Sequence, residues 1–237
     1  MTDIHKMSVS KRKGVTAMEK MLSRNRRLAL TGAFSALVVV LGLPPMHLGM
    51  IPLGPNASIT IMHIPVLLAV MLTGLYKAKR AKVDISALIS GLTVGAVFGI
   101  FSLILAAISP TGALDPLFVN PGVSVLPRIL LGLFAWLLWL LLNVIPHMPG
   151  TLAAVITAFI STLMHTCLVI GSLYIFAGAK VMGAMGGRGF IAVMVLLMPN
   201  ALIEAAAAAV VCAAVVGSVT AVSGKKSKLS QEAEKDS

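Results

Sequence analysis

The sequence predicts an all-α membrane protein, a bundle of six transmembrane helices with both termini in the cytoplasm. Composition is the first reason: 58% of the 237 residues are hydrophobic and 11% are charged, whereas a soluble domain carries about 25% charged residues. The mean hydropathy is +0.98, which excludes a disordered chain and leaves too few charges to cover a soluble enzyme. Six apolar segments and the basic residues that flank them are the other two reasons.

The six apolar segments are separated by short stretches rich in proline and glycine, which are typical of breaks between helices. A helix needs roughly 20 residues to cross about 30 Å of hydrocarbon, and its backbone groups must be paired within the segment. In chain order the predicted spans are Leu28–Leu43, Thr60–Tyr76, Ile85–Ile108, Ser124–Ile145, Thr151–Ala177 and Phe190–Gly217.

The basic residues predict the orientation and the domain limits. Of the 19 Lys and Arg residues, 8 precede Leu28, 4 lie in Lys77–Lys82 and 4 follow Gly217. All three groups lie inside when both termini are cytoplasmic, as the positive-inside rule requires. We therefore predict a basic cytoplasmic tail (1–27), a membrane domain (28–217) and a disordered cytoplasmic tail (218–237). The net charge of +11 then indicates lipid headgroups rather than nucleic acid, since no aromatic residues are interleaved for base stacking.

The same topology predicts three outer loops, Pro44–Ile59, Ser109–Val123 and Gly178–Gly189. Their length and their Pro and Gly content favour a lidded vestibule that opens outwards, although simple solvated connections are nearly as well supported. Gly183, Gly186 and Gly187 predict that the third loop is flexible.

Small residues four apart allow helix backbones to approach closely in lipid. The third segment has Gly91-x-x-x-Gly95-x-x-x-Gly99 and the sixth has Ala205–Ala209, and for both we expect packing inside the protein. The first segment has no ionisable group after Arg27, so its smooth face is a candidate for docking a partner protein, with internal packing as the alternative. That face consists of Ala29, Gly32, Ala33 and Ala36.

Ionisable side chains at membrane depth are costly and are therefore candidates for function. His63 and Arg128 fall in the outer third of their spans. Arg128 has no acidic residue within one turn, so it is suited to bidentate capture of a carboxylate or phosphate, or else it snorkels or caps loop carbonyls. His63 either contacts the same ligand or only caps and packs.

Two further candidates lie near the midplane. His165 continues a polar stripe with Thr157 and Ser161, and Glu204 lies one turn after Asn200. We expect a hydrogen bond between His165 and Glu204, which serves either to hold the helices together or to contact a ligand.

The sequence motifs weigh against catalysis. The chain has no paired aspartates at membrane depth, no Gly-x-Ser-x-Gly element, no His-Glu-x-x-His motif and no nucleotide-binding loop. A solute-binding membrane subunit that relies on a partner's ATPase is favoured, and the alternative is an intramembrane enzyme acting on a lipid or small solute.

Three motifs, in this order and spacing, carry a resemblance to a known family. They are Ile59-Thr-Ile-Met-His-Ile-Pro-Val66, then Gly91-Leu-x-x-Gly95-x-x-x-Gly99-x-x-Ser102-Leu103, then Phe118-Val-Asn-Pro121 with Val123-Ser-Val-Leu-Pro-Arg128. Over about 28–217 the chain resembles the substrate-binding S components of energy-coupling factor (ECF) vitamin transporters, in the branch that includes pantothenate, folate and cobalamin binders.

The resemblance implies a subunit of the bacterial plasma membrane that binds a vitamin near the outer surface and needs no cofactor. It implies that Ala29 and Ala33 dock to a membrane coupling (T) subunit driven by two cytosolic ATPase subunits, and that the S component topples to release its vitamin inside. Family members bind ligand with the first and second outer loops and the upper ends of helices four to six. In this chain the corresponding positions are Asn56, His63, Asn120 and Arg128, with Asn200 and Glu204 as a floor. A lone cation favours a small monocarboxylate such as pantothenate, with folate, cobalamin or another vitamin as alternatives.

Overall fold

The computed structural model describes residues 24–43, 49–54, 57–75, 85–110 and 114–235. The predicted basic tail as far as residue 23 and the basic group Lys77–Lys82 lie outside these ranges. The elements, in order, are α1 (24–42), β1 (Met50–Gly54), β2 (Ala57–Thr60), α2 (Ile64–Gly74), α3 (Ile85–Ile108), a short 3-10 helix (Asp115–Val119), α4 (Pro121–Val144), α5 (Gly150–Ala184) and α6 (Phe190–Lys235). The regular structure within these ranges is thus helical apart from one hairpin.

Among the described residues four helices are long and apolar enough to cross a bilayer, which makes the chain a multi-pass membrane protein. They are α3, α4, α5 and the Phe190–Ser223 part of α6. Each has at least 24 residues, which at 1.5 Å per residue exceeds the roughly 30 Å of hydrocarbon. These four predicted spans are confirmed as helices, with different ends for α4, α5 and α6.

The second predicted span, Thr60–Tyr76, differs most from the structure. Its helix, α2, has 11 residues and every one of them is buried, so α2 is a central helix surrounded by the others. It begins after His63 because the β-branched segment before it pairs as strand β2, and because Pro65 in its first turn supplies the backbone angle of a helix start.

Contacts along the bundle show that α3 and α4 run antiparallel on a seam of glycines. Gly91 packs on the backbone of Gly132, Gly95 packs on the carbonyl of Arg128, and a Cβ added to Gly99 would lie 2.6 Å from the Cα of Val125. No side chain larger than hydrogen fits at these positions, so the predicted internal packing of this glycine face is confirmed. The alanine face of α6 is likewise buried, at Ala205, Ala208 and Ala209.

Helix α5 is longer than predicted, and the loop predicted as Gly178–Gly189 is shortened to 185–189. One residue, Ala177, departs from helical angles, and the helix then continues to Ala184. It continues because Val181 and Met185 are buried in a small hydrophobic cluster with Val123 and Val193. Positive φ angles at Gly186 and Gly187 then reverse the chain.

Helix α6 continues to Lys235, whereas the sequence predicts disorder from residue 218. Adding residues to an existing helix costs little compared with starting one, and the Lys-, Glu- and Ala-containing end has good helix propensity. The helical backbone therefore extends well beyond the predicted end of the span at Gly217.

The first predicted outer loop contains the β1–β2 hairpin, paired antiparallel with Met50 opposite Thr60. The backbone N–H of Gly49 donates to the carbonyl of Leu41 at 2.6 Å, and that of Ile61 donates to the carbonyl of Gly49 at 2.9 Å. These bonds fix the hairpin to the end of α1 and the start of α2. The 3-10 helix joins α3 to α4 at the same end of the bundle, which we call the hairpin end.

Candidate functional site

Four elements bring four side chains together below the hairpin end. His63 precedes α2, Phe98 belongs to α3, Arg128 to α4 and His165 to α5, and their exposed fractions are 0%, 2%, 7% and 5%. The centroid of the His165 ring is 6.1 Å from that of His63 and 6.0 Å from that of Phe98. The structure therefore brings together three of the predicted site residues, His63, Arg128 and His165, which we call the cationic cluster.

The guanidinium of Arg128 lies close to two aromatic rings. Its central carbon is 5.4 Å from the ring centroid of Phe98 and 5.1 Å from that of Phe118, both within cation–π range. Its Nη1 donates to the carbonyl of Val123 at 2.8 Å, and its buried Nε has no hydrogen-bond partner. Within the described ranges no carboxylate forms an ion pair with Arg128.

The local sequence explains why Arg128 lies at this position. Asn120 caps α4, its side-chain oxygen accepting from the N–H of Gly122 at 2.9 Å, and Pro121 follows at the first helical position. Gly95 then lets α3 approach the backbone of Arg128 directly. Asn120 is exposed and serves as a helix cap, so the structure does not bring this predicted site residue into the cluster.

The histidines of the cluster have unused polar atoms. Neither nitrogen of His63 makes a hydrogen bond of normal geometry, although the backbone of Thr60 lies close enough to interact with the ring. The Nε2 of His165 also has no partner. Unpaired buried polar atoms cost free energy, and such groups persist where a ligand or water supplies the missing bond.

The predicted polar stripe of α5 is buried, and two of its hydroxyls are unpaired. Thr157 and Ser161 are fully buried and neither oxygen has a partner. Their neighbour Thr162 shows the ordinary alternative, because its hydroxyl donates to the carbonyl of Ala158 at 2.8 Å. Thr157 and Ser161 therefore extend the unsatisfied polar surface inwards from His165, and Ser102 on α3 adds a third unpaired hydroxyl.

The expected hydrogen bond between His165 and Glu204 is not formed. Glu204 accepts from the backbone N–H of Thr60 at 2.6 Å and from the side chain of Asn200 at 3.3 Å. His165 instead faces His63 and Phe98. The position of a residue along a helix does not give the rotation that decides which neighbour it meets, so the sequence could not supply the partners of these two groups.

The other predicted residues have different positions. Asn56 lies outside the described residues, and Asn200 is half-buried beside Glu204. On α1 the predicted docking face is exposed at every one of its positions, Ala29, Gly32, Ala33 and Ala36.

Phe98, Phe118 and the carbonyl of Val123 are the contacts that the sequence analysis missed. Phe98 immediately precedes Gly99 of the glycine seam. This position is the sequence feature that could have indicated its contact with α4. Within the described ranges no three His, Cys, Asp or Glu residues come close enough to hold a metal ion. What the site offers is a buried guanidinium, two imidazoles and several hydroxyls, which together can bind a polar anion.

A scan of the sequence against protein-family models finds no match, and a search of curated proteins finds no significant match. The class of the protein is therefore defined by its fold and its site alone. It is a multi-pass helical membrane protein with a buried cationic cluster.

Proposed function

We propose that this chain is the substrate-binding S component of an ECF-type transporter, which captures a vitamin or related micronutrient from outside for ATP-driven uptake. The observation that carries the proposal is the buried guanidinium of Arg128, which has two aromatic neighbours, an unpaired Nε and no carboxylate partner among the described residues. Keeping a charge at this depth is costly. A bound anion would offset that cost.

The shape of the site supports capture of a small solute at one end of the bundle. The hairpin, the 3-10 helix and the reversal at 185–189 all lie at the hairpin end, and Phe118 of the 3-10 helix covers Arg128 from that side. In the proposed orientation this end faces outwards and both termini lie in the cytoplasm of a bacterial cell. A single buried cation favours pantothenate over folate, cobalamin or another vitamin.

The outer face of α1 supports docking to a membrane coupling subunit. Ala29, Gly32, Ala33 and Ala36 are exposed, and a Cβ added at Gly32 would meet nothing within 4 Å. The small-residue faces of α3 and α6, in contrast, are occupied by neighbouring helices within the chain. Because this sequence has no nucleotide-binding loop, energy would come from two cytosolic ATPase subunits bound to the coupling subunit.

We propose a binding role in preference to catalysis. The nearest buried carboxylate, Glu204, is occupied by Thr60 and Asn200. Within the described residues no hydrogen bond joins Glu204 to either imidazole, so no carboxylate is positioned there as an acid–base partner for the histidines.

Co-purification tests the proposal. Expressed in its native host and purified in mild detergent, the wild-type chain should bring down ATPase activity and a second membrane subunit. Ala33→Trp should lose both, because the bulky ring prevents close helix approach. Ala206→Trp is the matched control, since Ala206 is an exposed alanine on α6, and it should behave as wild type. Equal ATPase activity with all three chains, or none with any of them, contradicts the proposal.

A further inference from the structure

We infer that the site binds a monocarboxylic acid whose carboxylate pairs with the Nε edge of Arg128 and whose uncharged part bonds the hydroxyls of α5. This inference rests on the proposed function and specifies its substrate class. It depends on how Pro127 changes the hydrogen bonds of α4, on the two rings beside Arg128 and on the unpaired polar atoms around it.

Pro127 determines which edge of Arg128 is available. In a helix the carbonyl of Val123 would accept from the N–H of residue 127, but proline has no N–H. The Nη1 of Arg128 replaces that donor at 2.8 Å. The side chain is thereby fixed through one nitrogen, and the buried Nε has no partner. A carboxylate can pair with the Nε edge without breaking the bond to Val123.

The rings of Phe98 and Phe118 lie close to the guanidinium and limit the directions from which a ligand can approach. Fixed in this way, the guanidinium selects a planar, two-oxygen group and loses little side-chain entropy when it binds. The geometry therefore favours a carboxylate over a single acceptor such as a ketone or hydroxyl.

The number of buried cations limits the charge of the ligand. Among the residues whose burial the structure describes, Arg128 is the one Lys or Arg that is buried. The other unpaired groups are both imidazole nitrogens of His63, Nε2 of His165 and, further along α5, the hydroxyls of Ser161 and Thr157. These groups bond hydroxyls and amides well, but a second carboxylate here would have no fixed positive partner. The structure thus points to one anionic end and one neutral hydrogen-bonding end.

The test measures thermal stabilisation of the purified full-length chain by vitamins of two kinds. Pantothenate, biotin and nicotinate each have one carboxylate, whereas thiamine, riboflavin and pyridoxine have none. We expect the largest shift with one of the monocarboxylates, and we expect its neutral counterpart (pantothenol, biotinamide or nicotinamide) to bind at least about tenfold more weakly. Stabilisation by thiamine, riboflavin or pyridoxine would overturn the inference alone. Stabilisation by none of the six also overturns the inference alone, because folate and cobalamin, which the proposed function allows, are outside this panel; the co-purification experiment tests the proposed function separately.

Two sets of variants separate binding from folding. Arg128→Gln should lose the preference for the acid over its neutral counterpart, whereas Arg188→Gln, at an exposed loop position, should keep it. The acid and its neutral counterpart are then compared in Pro127→Ala. This variant restores a backbone N–H donor to the carbonyl of Val123, which then no longer needs the side chain of Arg128 as its donor. The inference is supported if the double variant Pro127→Ala/Arg128→Gln loses the preference for the acid and the single variant Pro127→Ala keeps it. Retention of the preference in the double variant overturns it.

A matched pair of variants tests the role of the α5 hydroxyls. Thr157→Val should weaken binding of the preferred acid by about three- to tenfold while leaving its preference over the neutral counterpart unchanged. Thr162→Val should have no effect, because that hydroxyl is bonded within its own helix. Equal affinity for both variants would contradict the assignment of the neutral end of the ligand.

Discussion

The carboxylate of Glu204 on α6 accepts a hydrogen bond of 2.6 Å from the backbone N–H of Thr60, the last residue of the hairpin. Thr60 lies three residues before His63, so this bond connects the longest helix to the segment that leads into the cationic cluster. Glu204 therefore acts on the site through the backbone, as a positioning residue. Asn200 supports it from the preceding turn at 3.3 Å.

Replacing Glu204 should distinguish this backbone role from a requirement for charge. Glu204→Ala removes the acceptor of the Thr60 N–H and should lower the free energy of unfolding by about 1–3 kcal/mol. Glu204→Gln keeps a carbonyl acceptor and should cost less than about 1 kcal/mol. Thermal unfolding in detergent measures the difference, and equal loss in both variants would show that the charge itself is required.

The glycine seam gives a second prediction, on the placement of Arg128. Gly95→Ala puts a methyl group against the carbonyl of Arg128, so α3 and α4 must separate. We expect destabilisation by about 1–3 kcal/mol and weaker ligand binding. The control is Gly171→Ala on α5, where an added Cβ meets nothing within 4 Å and helix propensity favours alanine by up to about 1 kcal/mol. A Gly95→Ala variant as stable as Gly171→Ala would contradict the close packing.

The proposed orientation gives a third prediction, measured by labelling intact cells with a membrane-impermeant maleimide. Single cysteines replace Val119 at the end of the 3-10 helix or Pro146 between α4 and α5, both exposed positions, in a chain without Cys167 and Cys212. Val119→Cys should be labelled from outside, because the basic flanks place the other end in the cytoplasm. Pro146→Cys should be labelled only after the cells are permeabilised. The reverse pattern would invert the topology.

The sequence predicted those parts of the fold that depend on pattern. Four long spans follow from hydropathy and length, and the seam at Gly91, Gly95 and Gly99 follows from the spacing of residues without side chains. The burial of Thr157 and Ser161 follows from helical periodicity. Each of these is a local property, and each is confirmed.

The parts of the fold that the sequence did not predict depend on contacts between distant segments. The hairpin takes Thr60 from the second predicted span, whose helix begins only at Ile64, and the burial of Val181 and Met185 extends α5. The rings beside Arg128 come from α3 and from the 3-10 helix, and a single sequence gives no rotation or register that would bring them together. The partner of Glu204 was missed for the same reason.

The most direct test of a solute-binding role is mass spectrometry of the small molecules released when the purified protein is denatured. We predict one small carboxylic acid, present at about one molecule per chain in the wild type and absent from Arg128→Gln, while Arg188→Gln retains it. Wild-type protein that releases no such molecule when saturated with the vitamin panel, or that converts the bound molecule into a product over time, would contradict the account.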